Sequence, residues 1–91
     1  MFSPPGKIEI YTTTFCPFCA RAKQLLTSKQ VIYEEIDVTA NLSLRKAMTE
    51  RAGGRTSVPQ IFIDGQHIGG CDELLALDQS GQLDRLVQVA C

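Results

Sequence analysis

The apolar residues of this chain change period at Pro17, and that change limits the folds open to it. Before it, Lys7-Ile8-Glu9-Ile10-Tyr11 alternates, which puts Ile8 and Ile10 on one face of a β-strand. After it, Cys19, Ala22 and Leu26 recur at helical spacing, with Leu25 beside them and Arg21 and Lys23 elsewhere. The pattern predicts a helix from Pro17 to about Lys29. Val31 to Val38 is again rich in β-branched residues and reads as a second strand. Strand, helix and strand joined by short connections imply parallel pairing through a right-handed crossover.

The rest of the chain extends this unit. Asn41 or Thr39 can cap a second helix with Leu44, Ala47 and Met48 inward, ended by Gly53-Gly54. Pro59-Gln60-Ile61-Phe62-Ile63 reads as a third strand. Asp64-Gly65 is a two-residue hairpin turn, and Gln66-His67-Ile68 returns antiparallel. Gly69-Gly70-Cys71-Asp72 leads into a helix carrying Leu74, Leu75 and Leu77. Ser80-Gly81 breaks it, and a short last helix carries Leu83, Leu86 and Val87. At 91 residues without a composition shift, repeat or linker, one domain over residues 1–91 is expected, with Met1 to Gly6 as a poorly ordered leader. The formal charge of -1 gives no reason to expect nucleic acid or an anionic membrane as partner. No apolar run approaches the roughly 20 residues that span a bilayer, and the first residues lack the basic and apolar regions of a secretory signal. A cytoplasmic location is expected. In that reducing compartment a close cysteine pair is redox-active or metal-binding rather than structural.

Such a pair stands at the period change, as Cys16-Pro17-Phe18-Cys19. Proline is favoured at the first helical position, because its missing N–H has no intrahelical partner to lose there. That makes Cys16 the N-cap. Its sulfur faces the unsatisfied N–H groups and the positive end of the helix dipole, which favour thiolate over thiol. Cys16 is therefore the candidate nucleophile. Cys19, one turn in and on the apolar stripe, is sheltered and acts second, on a mixed disulfide formed at Cys16. A zinc site would need a second pair, and Cys71, Cys91 and His67 show no paired spacing. His67 reads as a structural or surface histidine, Cys71 as a small filler, and Cys91 as incidental. Arg51 and Arg55, flanking the glycines before Pro59, read either as groove charges or as solvated loop charges. A C-x-x-C beside a βαβ pattern is a thioredoxin-like redox signature.

From Ile8 to about Val87 the chain resembles a dithiol glutaredoxin, close to the small bacterial and cyanobacterial type. The resemblance rests on Ile-Glu-Ile-Tyr, Cys-Pro-Phe-Cys, Ser57-Val58-Pro59-Gln60-Ile61-Phe62-Ile63 and Gly69-Gly70-Cys71-Asp72. It implies an α/β, thioredoxin-like fold: a four-stranded mixed sheet in the order strand, helix, strand, helix, strand, strand, helix, helix, with helices on both faces. It also implies a redox-active Cys16–Cys19 disulfide, and a glutathione site formed by Phe18, Arg45, Ser57, Val58, Pro59, Gly70, Cys71 and Asp72. Pro59 would be the cis proline of that site. The Val58 backbone would pair with the cysteine moiety of glutathione, and Gly70, Cys71 and Asp72 would meet its γ-glutamyl end. Arg45 would meet its glycine carboxylate, and the Phe18 ring would lie beside the substrate.

The implied activity is glutathione-dependent reduction of disulfides and of protein–glutathione mixed disulfides. Glutathione is the co-substrate, and neither a tightly bound cofactor nor a metal is expected. Client proteins by the same resemblance include ribonucleotide reductase, arsenate reductase and peroxiredoxin, and a monomer is expected. The alternative, an iron–sulfur carrier bridging two subunits with glutathione, is opposed by Pro17, which stiffens the loop where carriers commonly have Gly or Ser. One departure bears on the chemistry. The family often has lysine three residues before the first cysteine, and here that position is Thr13.

Overall fold

The computed structural model describes residues 7–87; the stretch read as a leader and the terminal Cys91 lie outside them. The elements are β1 (Ile8–Thr12), α1 (Pro17–Ser28), β2 (Tyr33–Asp37), α2 (Leu42–Arg51), β3 (Gln60–Ile63), β4 (Gln66–Gly69), α3 (Cys71–Gln79) and α4 (Gln82–Leu86). The four strands form one sheet in the order β2-β1-β3-β4. β1 runs parallel to β2 and antiparallel to β3, and β3 pairs antiparallel with β4. This is the mixed sheet that the strand–helix–strand start and the hairpin signal imply.

Alternation along the strands divides the interior into two cores. Ile8 and Ile10 face Ile63 and Ile61 across the β1–β3 ladder, and their side chains join Ala22 and Leu26 of α1, Leu74 of α3 and Leu83 of α4. Tyr11 and Phe62 point to the other face and pack with Val38, Met48 and Ala52. Helices therefore cover both faces: α1, α3 and α4 on one, α2 on the other. Burying each such Leu, Ile or Phe side chain contributes about 1.5–3 kcal/mol, so a sheet covered on both faces gains twice from the same strands.

Three expectations need correction. The second strand is shorter than Val31–Val38. Gln30 takes a left-handed backbone (φ 58) after α1, and the β1 ladder begins only at Tyr33, opposite Ile8. Ile32 is consequently left exposed. Of Leu44, Ala47 and Met48, expected inward on α2, only Met48 is buried. Leu44 and Ala47 are exposed, and Met48 with Ala52, one turn later, makes the contact, because only the C-terminal half of α2 lies over Phe62. The third strand starts at Gln60 rather than Pro59, which has no N–H to give the ladder. The hairpin is as expected: Asp64 (φ 54) and Gly65 (φ 80) both adopt the left-handed conformation that a two-residue turn requires.

Candidate active site

The cysteine pair sits where β1 hands over to α1. Cys16 is the N-cap, with extended backbone (φ -143, ψ 101), and Pro17 follows at the first helical position. The Cys19 backbone N–H donates to the Cys16 sulfur at 3.0 Å, so one of the orphan donors of the helix is aimed at the sulfur that the sequence marks as nucleophile. Cys16 is half-buried, whereas Cys19 is enclosed by the core and only 1% exposed. Burial first, and then the hydrogen bond with Cys16, push the Cys19 thiol up to about 12. The two sulfurs are thus unequal: one is reachable and accepts from a helix N–H, and the other is held protonated.

Beside them lies an open cleft of about 200 Å³. Phe18, Ser57, Val58, Pro59, Gly70, Cys71 and Asp72 line it, so seven of the eight residues named from the resemblance converge there. The Cys16 sulfur lies at its edge, 3.9 Å from the Val58 carbonyl oxygen. The Val58–Pro59 bond is cis. Cys71, at the first position of α3, is buried, and that burial pushes its thiol upward. Phe18, by contrast, is half-exposed at the rim.

Arg45 is placed differently. Its guanidinium donates to the Thr56 carbonyl at 2.9 Å, so it braces the loop leading to Val58 and does not line the cleft. Arg55 does line it, and so does Glu73, which the sequence reading did not single out. Glu73 accepts from the Gly70 N–H at 2.6 Å and from Arg55 at 3.0 Å. The Gly70 bond, followed by the Arg55 bond, holds its carboxyl below the usual range. The available signal was a capping pattern, Glu three residues after the N-cap Gly70. Two glycines fit this closeness. A Cβ at Gly69, where φ is +126, would meet the Glu73 carboxylate at 2.6 Å, and one at Gly70 would meet the Pro59 carbonyl at 3.3 Å.

Thr13 stands where the family often has lysine, and two lysines elsewhere in the chain have acidic partners of their own. Lys23 is paired with Glu35 at 2.9 Å and Lys7 with Glu34 at 3.8 Å. Among the described residues, no group of three or more His, Cys, Asp and Glu side chains gathers as a metal site, and no helix is long and apolar enough to cross a membrane.

The family model for glutaredoxin matches residues 8–68. The chain belongs to the glutaredoxin family. Its membership makes it one of a family of thiol-disulfide oxidoreductases with the thioredoxin-like fold. It is 56% identical over 83 residues to glutaredoxin 3 of Escherichia coli (strain K12), covering 91% of this chain and 99% of that one. Among solved structures it is similar to a glutaredoxin from Brucella melitensis, with a TM-score of 0.82, 48% identity, and coverage of 94% and 92%. A buckwheat glutaredoxin–glutathione complex superposes with the same TM-score of 0.82 at 27% identity, covering 90% of this chain and 76% of that one. In the last of these, a protein of the same fold is seen with glutathione.

Proposed function

We propose that this glutaredoxin is a glutathione-dependent oxidoreductase that reduces protein–glutathione mixed disulfides and protein disulfides through Cys16 and Cys19. The observation that carries the reading is the position of the Cys16 sulfur, at the edge of a cleft lined by the Val58–Pro59 backbone and the start of α3. An extended tripeptide laid along Val58 brings its own sulfur to Cys16. The start of α3 offers N–H groups to a carboxylate, and the exposed Asp72 carboxylate suits an α-amino group.

The chemistry follows from the unequal sulfurs. The Cys16 thiolate attacks the glutathionyl sulfur of a mixed disulfide. A new S–S bond joins Cys16 to glutathione, and the protein leaves as thiolate and takes up a proton. A second glutathione thiolate then attacks the glutathionyl sulfur on Cys16, yielding oxidised glutathione and free Cys16. For a protein disulfide, Cys16 attacks first and Cys19 resolves. The resulting Cys16–Cys19 disulfide is reduced by two glutathiones in turn. Cys19 attacks only after giving its proton to solvent, and its burial, which opposes that ionisation, slows the step and leaves glutathione time to compete.

The test is a trap. The Cys19→Ser variant, treated with oxidised glutathione, is expected to carry one glutathionyl group, located on Cys16 by peptide mass mapping. Modification at Cys71 with Cys16 left free would overturn the assignment.

A further inference from the structure

Gln60 is a fully buried amide in a strand whose other members are apolar. Its Nε2 donates to the Ser57 carbonyl at 2.9 Å and to the Ser57 hydroxyl at 3.3 Å. A carbonyl oxygen only accepts, so the amide nitrogen must face Ser57 and the amide oxygen must face the other way. There it meets the His67 ring nitrogen Nε2 at 2.6 Å. Two acceptors at that distance would repel, so His67 carries its hydrogen on Nε2 and donates it to Gln60. The ring is fixed from a second side, lying 5.1 Å from the Phe62 ring at an interplanar angle of 35°. A chain of donors thus runs from β4 through β3 into the loop before Val58.

We propose that His67 is a positioning residue for the substrate cleft: through Gln60 it holds Ser57, and so sets the Val58 backbone against which the glutathionyl group is laid. The proposal rests on the glutathione reading above and extends it to a side chain that touches neither Cys16 nor the cleft. The structural logic is one of satisfaction. With His67 in place the buried Gln60 amide has a partner at both ends, and among the described residues no buried side-chain polar atom lacks one. Without it the Gln60 oxygen is left unpaired in the interior, and the amide is free to swing away from Ser57.

The experiment compares wild type, His67→Leu and His67→Gln on a glutathionylated peptide with glutathione and its reductase. The glutamine amide stands in for the Nε2 donor. In His67→Leu, KM for the peptide is expected to rise about three- to tenfold, the scale of one hydrogen bond, with kcat unchanged. His67→Gln should recover most of that loss. Alkylation of Cys16 by iodoacetamide should be the same in all three. An unchanged KM in His67→Leu would overturn the proposal. So would a His67→Gln as impaired as His67→Leu, since packing against Phe62 would then be what matters. Nitrogen NMR of wild-type His67 should show the Nε2–H tautomer, and the Nδ1–H tautomer would be equally fatal. If wild type alkylates normally but ignores the peptide, the glutathione reading fails. Hydrogen exchange at the Val58 amide then decides the relay: faster exchange in His67→Leu supports it, and equal exchange refutes it.

Discussion

The fold resists ionisation of Cys19, and the resistance is measurable as stability. In the folded protein its thiol is pushed from 9.0 up to about 12 by burial and by the Cys16 contact. An unfolded chain therefore releases this proton first as pH rises. The fold binds more protons than the unfolded state between those two values, so stability falls with pH in that window. The contribution is fully present below 9.0 and is lost progressively up to about 12. Each pH unit within the window costs on the order of 1 kcal/mol, so a loss of a few kcal/mol accumulates between 9.0 and about 12. The perturbation is Cys19→Ala. It removes a buried sulfur at some fixed cost, and it also removes this one titration. Lysines, tyrosines and Cys71 remain in both proteins and cancel in the difference, while Cys16, which contacts Cys19, is followed separately by its alkylation rate against pH. Urea unfolding of the two reduced proteins, with a non-thiol reductant, should give stabilities that converge by that amount as the pH is raised. Parallel curves across the alkaline range would refute the claim that the fold holds Cys19 protonated, and with it the account of why glutathione can compete with Cys19 for the mixed disulfide.

Other expectations follow from single contacts. Cys16→Ser should abolish disulfide reduction while keeping the cap on α1. Cys16→Ala should in addition lose about 1 kcal/mol of thermal or urea stability, since the Cys19 N–H then has no side-chain acceptor. Cys19→Ser should keep turnover on glutathionylated peptides and lose it on disulfides whose mixed intermediate needs an internal thiol; the reverse pattern would exchange the roles of the two cysteines. Gly69→Ala should destabilise by about 1–3 kcal/mol in thermal unfolding, because the added Cβ is strained at φ +126 and collides with Glu73. Thr13→Lys should speed Cys16 alkylation at neutral pH and lose that advantage in high salt, since the effect is a screened charge.

How far the chain could be read from its residues depended on the range of the interaction. The redox helix is local: Pro17 at its first position and Cys16 at its cap are adjacent, and the structure places both as the spacing requires. The hairpin is local too, decided by Asp64-Gly65. The buried face of α2 is not legible in this way, because a helical stripe says which residues share a side, and not how much of the helix lies over the sheet. Met48 packs in the cluster around Phe62, whereas Leu44 is not part of it and stays 38% exposed. The cleft itself joins segments far apart in the chain. Cys16, Val58 and Gly70 meet only because β3 lies next to β1 and feeds β4 and α3. Local physics marks Cys16, but only the family resemblance drew Val58 to Asp72 towards it. Glu73 and Gln60 escaped both readings. Each is a polar residue in an apolar or helical run, and its meaning lies in a partner on another segment, Arg55 for one and His67 for the other.

The claim that everything else depends on is the reductant. Reduction of hydroxyethyl disulfide can be followed through NADPH oxidation, once with glutathione and glutathione reductase and once with thioredoxin reductase alone. The cleft beside Cys16 predicts turnover in the first arm, lost in Cys16→Ser, and none in the second. Turnover sustained by thioredoxin reductase without glutathione, with the glutathione arm silent, would contradict it.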